Sequence, residues 1–110
     1  MKMFDPPHPG LVLAESFNEN FTIEDAAHKM RVSVQTLTDI TEGKAPITGE
    51  IAFLITAIFP HANPATWIGM QADYDSWQAT HNRQWQKQMC QKHNLGPNFL
   101  DGFIKAQPSM

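Results

Sequence analysis

An all-α fold of five helices with a C-terminal helical extension is what this sequence predicts, on three observations. Cap-forming residues stand at Thr22, Ser33, Thr48 and Asn63, the last with Pro64 behind it at a first helical position. Apolar residues recur at spacings of three and four after each of these caps. Chain breakers at Gly43, Pro60 and Gly96-Pro97 separate the stretches. A chain of 110 residues makes one modest core, and a hydrophobic content of 42% is enough to fill it.

The first nine residues hold three prolines and cannot be helical, but Pro9 suits the first turn of a helix that starts behind His8. In that helix Leu13, Ala14 and Phe17 share a face with Val12 beside them, and residues 18–20 lead out. Phe21 precedes Thr22 where an apolar residue staples the next helix, and Asp25 completes a capping box. Ile23, Ala26, Ala27 and Met30 give the second helix its inner face. The run breaks at Arg31-Val32, Ser33 caps a third helix whose inward residues are Leu37 and Ile40, and Gly43 ends it. Two short helices with an apolar Val32 plugging the angle between them form a helix-turn-helix, and that arrangement implies double-stranded DNA as a partner.

Thr48 caps a fourth helix with Glu50 in its first turn, where the helix dipole favours a carboxylate. Ile51, Leu54, Ile55, Ile58 and Phe59 give it a broad apolar face at the centre of the core, and Pro60 stops it. In the fifth helix Trp67, Met70, Gln71, Tyr74 and Trp77 lie on one face, and the stripe Trp77, His81, Trp85, Met89 predicts its continuation. Between His81 and Lys92 the bases Arg83, Lys87 and Lys92 stand without an acid. Residues 94–97 then break the chain, and Phe99, Leu100, Phe103 and Ile104 outline a last amphipathic helix too short to stand alone. It needs a surface, its own domain, a partner protein or a second protomer, and the second protomer is the preferred one. One small core cannot take so many rings, so Trp67, Tyr74, Trp77, Trp85, Phe99 and Phe103 are assigned to a homodimer interface. Residues 1–80 are read as the DNA-binding domain and 81–110 as an extension in the same compact unit.

Other classes are excluded one by one. The longest mainly apolar run, Ile51 to Phe59, is far too short to span a bilayer and no leader pattern opens the chain, so a cytoplasmic protein without membrane association is expected. Cys90 is the only cysteine, which rules out an internal disulfide. Cys90 and His93 have C-x-x-H spacing, but two further ligands are missing, and no metal or other cofactor is expected. No Ser-His-Asp set, carboxylate pair or phosphate-cradling Gly loop occurs, so the chain is not read as an enzyme.

His8-Pro9-Gly10, the Val32-Ser33 turn, Gly43-Lys44 followed by Ile47-Thr48, and Asn63-Pro64-Ala65-Thr66-Trp67 running into Met70 to Trp77 resemble the HigA-type addiction-module antitoxins, within the repressor-like (XRE-type) helix-turn-helix class. The resemblance covers residues 8–80. It implies a five-helix DNA-binding fold, a dimer, autorepression of a two-gene operon through operator DNA, and neutralisation of a toxin protein that cleaves mRNA.

Carried over residue by residue, the resemblance puts base reading on Val34, Gln35, Thr36 and Asp39, with Thr22 and Lys44 near phosphates and Arg31 and the Ser33 cap beside the backbone. Gln35 can pair bidentately with adenine, Val34 can meet a thymine methyl, Thr36 can bond a base or a phosphate, and Asp39 can accept from cytosine N4. Two positions depart from the family pattern: Arg31 replaces the usual turn glycine, and Val34 replaces a polar or basic residue. Across residues 22–44 the acids Glu24, Asp25, Asp39 and Glu42 outnumber the bases Lys29, Arg31 and Lys44 by one, and the whole chain carries −3. Two further function classes therefore stand beside the antitoxin: a stand-alone transcription regulator of the same fold without a toxin, and a protein-interaction module that has lost DNA binding.

Overall fold

Local capping bonds start each of the first helices in the computed structural model, which describes residues 5–96 and 98–106, the last four without their side chains. In α1 (Pro9–Ala14) the cap is His8, whose Nδ1 accepts from the Gly10 N–H at 2.9 Å, with Pro9 in the first turn. In α2 (Ile23–Met30) the capping box closes both ways: Thr22 Oγ1 accepts from the Asp25 N–H, and Asp25 Oδ2 accepts from the Thr22 N–H. Ser33 caps α3 (Val34–Thr41) and Thr48 caps α4 (Gly49–Leu54) in the same manner. Asn63 Oδ1 accepts from the Ala65 N–H at the start of α5 (Pro64–His81). Then come α6 (Arg83–Lys92) and α7 (Phe99–Ala106), and the described residues are all-helical apart from turns.

The chain divides into two units, residues 6–74 and the described residues from 75 onward, with the boundary inside α5. The first unit is built on one cluster of buried side chains, among them Leu13, Ala27, Met30, Leu37, Ile40 and Ile55. These are the inward positions that the helical spacing marks. Trp67 and Phe59 are partly buried against this cluster. Buried Gln71 adds a polar tie, its Oε1 accepting from the Ile47 N–H at 2.8 Å, so the loop before α4 is held by α5. An unpaired N–H there would cost about 1–3 kcal/mol.

Two sequence expectations change. The fourth helix is α-helical only to Leu54 and tightens into a 3-10 turn at Ile55–Ala57. There the Ile58 and Phe59 N–H groups both donate to the Ile55 carbonyl, at 3.0 and 2.9 Å, while the Thr56 hydroxyl donates to the Phe53 carbonyl. The fifth helix does not run on through Trp85. Asn82 leaves the helical region at φ −89°, ψ 96° and its side chain caps α6 by accepting from the Trp85 N–H. Buried glutamines close the corner, with Gln86 Nε2 donating to the Ala79 carbonyl and Asn82 Nδ2 donating to Gln78 Oε1. Within the single chain α7 lies beside α6, one of the surfaces expected for it, and Phe99 and Leu100 share a groove with Trp85 and Met89.

Candidate nucleic-acid interface

The turn between α2 and α3 is closed by Arg31, which sits in the left-handed region at φ 61°, ψ 39°. Its N–H and that of Val32 fold back onto carbonyls at the end of α2, the Val32 N–H donating to Ala27 at 3.1 Å. This is the backbone conformation for which glycine is the unstrained residue. Arg31 thus accepts strain and presents an exposed guanidinium at the mouth of the turn, while half-buried Val32 fills the angle as expected.

Exposed Val34, Gln35 and Thr36 line the first turn of α3, and Leu37 and Ile40 on the opposite side are fully packed. Ser33 Oγ accepts from the Thr36 N–H at 3.0 Å and donates to Thr36 Oγ1 at 2.7 Å. Ser33 is therefore occupied as a cap, and the Thr36 hydroxyl proton is left to donate outward. Thr22 is similarly committed to its capping box. One turn further along, half-buried Asp39 takes a 2.8 Å hydrogen bond at Oδ1 from Gln35 Nε2. The Asp39 carbonyl in turn accepts from the Lys44 and Ala45 N–H groups, at 2.8 and 3.2 Å, which ties α3 to the turn at Gly43.

Charge on this face is balanced by pairs. The Lys44 ammonium lies 2.9 Å from Glu42 Oε1, both side chains open to solvent, and the hydrogen bond to Glu42 raises the lysine above its ordinary pKa, with the Glu42 and Asp39 charges helping. Lys29 stands over the Phe21 ring at 5.9 Å. A phosphate approaching Lys44 must compete with Glu42, whereas Arg31 presents its charge from the turn itself.

The residues expected at a dimer interface have these neighbours within the chain. Trp67 packs partly on its own core, Tyr74 meets the His8 ring edge-on at 4.8 Å, and Trp77 stacks on His81 at 5.7 Å. Trp85 and Phe99 are brought together, lining a groove of about 230 Å³ with Cys90, His93 and Leu95. The Phe103 side chain lies outside the described residues. Among the described residues no group of three or more His, Cys, Asp or Glu could hold a metal ion, and no helix is long and apolar enough to cross a membrane. The sequence reading missed what holds α3 in place. The Gln35–Asp39 pair had a local signal, a donor and an acceptor four apart on a helix, whereas the contacts of His8 and Gly10 with α3 and α5 had none.

No protein-family model matches the chain. Virulence-associated protein A of Dichelobacter nodosus is 33% identical over 75 residues, covering 66% of this chain and 74% of the relative. Its variant A′ from the same organism is 32% identical over 75 residues, and there the chain spans 67% of itself but only 65% of the relative. An uncharacterised helix-turn-helix transcriptional regulator of Escherichia coli is 31% identical over 72 residues, 64% of this chain and 76% of that one. Among solved structures, an addiction-module antidote protein of a HigA family from Coxiella burnetii superposes with TM-score 0.63 over 76% of this chain and 95% of its own, at 24% identity. The Pseudomonas aeruginosa antitoxin HigA, solved with its promoter DNA, shares the fold at TM-score 0.63 and 24% identity over 84% of this chain and 97% of its own. With these relatives, a capped helix pair and an exposed first turn on α3, the chain belongs to the helix-turn-helix regulator family that includes virulence-associated protein A, and its fold is that of the HigA-type antitoxins.

Proposed function

We propose that this chain is the antitoxin of a type II toxin-antitoxin module, which acts in the cytoplasm as a homodimer, binds operator DNA upstream of its own gene, represses that operon and neutralises an mRNA-cleaving toxin. The observation that carries the reading is the outward first turn of α3. Val34, Gln35 and Thr36 stand exposed there, on a helix whose other side is fully packed. Such a turn reads base edges when the helix lies in the major groove, because recognition helices contact bases with their N-terminal residues. Residues 1–80 carry this task and 81–110 add the extension. The toxin is the finer part of the reading and rests on the family alone.

Footprinting on the DNA upstream of the gene tests the operator. A dimer should protect two half-sites about 10 base pairs apart, or a multiple of that. Protection should weaken as salt rises, with a shallow slope, because the few cations on this face neutralise few phosphates. Uniform weak binding to any duplex would sink the operator reading. Co-expression with the product of the adjacent reading frame tests the toxin. A stable complex that restores growth supports the antitoxin; repression without a partner leaves a stand-alone regulator.

A further inference from the structure

We propose that Asp39 is a positioning residue that sets which way the Gln35 amide faces, and so gives Gln35 its preference for adenine, without touching a base itself. The proposal rests on the operator reading above and goes one step into it. Asp39 is the less exposed end of the pair: it is half-buried, and its backbone is tied to the following turn by the Lys44 and Ala45 N–H groups on its carbonyl. Gln35 is the free end, exposed in the first turn of α3. The 2.8 Å bond runs from Gln35 Nε2 to Asp39 Oδ1.

An ionised carboxylate only accepts, so it must face the nitrogen of the amide and never its oxygen. That removes the flip which an exposed glutamine otherwise has, a twofold ambiguity in which atom is the donor. One Nε2 proton goes to Asp39; the other, together with Oε1, is left pointing outward as a donor beside an acceptor. Adenine offers the complement in the major groove, N7 accepting and N6–H₂ donating, whereas guanine offers two acceptors at O6 and N7. A glutamine held in this sense therefore matches adenine and mismatches guanine at Oε1. Asp39 stands a full turn behind Gln35 on α3 and spends one carboxylate oxygen on the Gln35 amide.

Fluorescence anisotropy on the protected upstream duplex, the same duplex with 7-deazaadenine at each half-site adenine in turn, and an unrelated duplex tests this at fixed salt. The variants are Gln35→Ala, Asp39→Ala and Asp39→Asn, the last keeping an acceptor for Gln35 without the charge. The parent should lose about tenfold at one 7-deazaadenine position. In Asp39→Asn that loss should shrink in part, since an asparagine amide can donate to Gln35 as well as accept from it; in Asp39→Ala it should shrink further, and the ratio of specific to unrelated binding should fall about three- to tenfold, as a freely rotating side chain must now be ordered. Both Asp39 variants should bind the unrelated duplex more tightly, one negative charge being gone. A merely structural role would weaken both duplexes together along with melting temperature. An Asp39→Ala protein with the parent's ratio and the parent's 7-deazaadenine loss overturns the proposal, as does a loss of discrimination at a C·G pair, which would make Asp39 a direct reader of cytosine. If the parent itself finds no specific site, the operator reading fails first, and is seen to fail.

Discussion

Gly10 approaches the backbone of Ile40 so closely that a Cβ on it would overlap the Ile40 carbonyl oxygen. That oxygen also receives the Gly43 N–H at 3.0 Å, and Gly43 itself holds φ at +77° against the His8 ring. The His8-Pro9-Gly10 stretch is thus the clamp that seats α1 on the end of α3. Gly10→Ala should cost about 1–3 kcal/mol, as overpacking against an unyielding neighbour does. Urea unfolding measures it, and an unchanged midpoint would mean that α1 can back away from α3 at no cost.

Arg31→Gly should do the opposite. A left-handed non-glycine residue costs about 1–2 kcal/mol, part of which a glycine returns as extra freedom of the unfolded chain, so a net gain of about 0.5–1 kcal/mol is expected. The same change removes the guanidinium from the mouth of the turn. Binding to all duplexes should weaken by a similar factor and the salt slope should flatten by about one. A more stable protein with an unaltered salt slope would show that Arg31 touches no phosphate.

Acid should loosen α2 at its first turn. The backbone and side-chain hydrogen bonds from Thr22 hold the Asp25 carboxyl below its ordinary value of 3.8. A carboxylate depressed on folding stabilises fully above its unfolded value, and the contribution declines as the pH falls through 3.8 and is gone below the folded value. Between neutral pH and 5, Asp25→Asn should therefore be less stable than the parent, and the gap should close as the pH drops below 4. Thermal melts across that range decide it; a gap that stays constant would mean the charge of Asp25 is not what the box uses.

How much of this was legible beforehand depends on the distance between partners. The caps at Thr22, Ser33, Thr48 and Asn63 are satisfied within three residues of chain, so their residue types alone announced them. The inward faces of α2 and α3 followed from spacing. What was hidden is what depends on a remote partner. Gln71 looked like one more residue on an aromatic stripe, but its partner Ile47 lies 24 residues away. The break at Asn82 was masked because Trp77, His81, Trp85 and Met89 keep a spacing of four straight across it. An asparagine inside an unbroken period is a cap only once the chain has turned. In the candidate site the resemblance named both Gln35 and Asp39, while the hydrogen bond between them, four residues apart on one helix, went unread.

The last prediction concerns the start of α7 and the turn before it, whose described apolar side chains are only partly buried against α6. Phe99 is 50% exposed and Leu95 43% exposed, so each contributes well short of the roughly 1.5–3 kcal/mol that full burial of such a side chain brings. Ordering the helix costs about 1–2 kcal/mol per residue before its hydrogen bonds are counted. Local opening of α7 is then far easier than unfolding of the first unit, whose core includes side chains with no exposure at all. Cys90 reports on it, because the thiol is half-buried on α6 and lines the groove that Phe99 and Leu100 share. A thiol-exchange probe should label Cys90 in the full chain through that opening, and truncation after Asn94 should speed labelling severalfold while α2 and α3 keep their fold. Phe99→Asp should act in the same direction without shortening the chain. If neither change alters the labelling rate, α7 does not shield Cys90, and the groove between α6 and α7 is open in solution whether or not the helix is there.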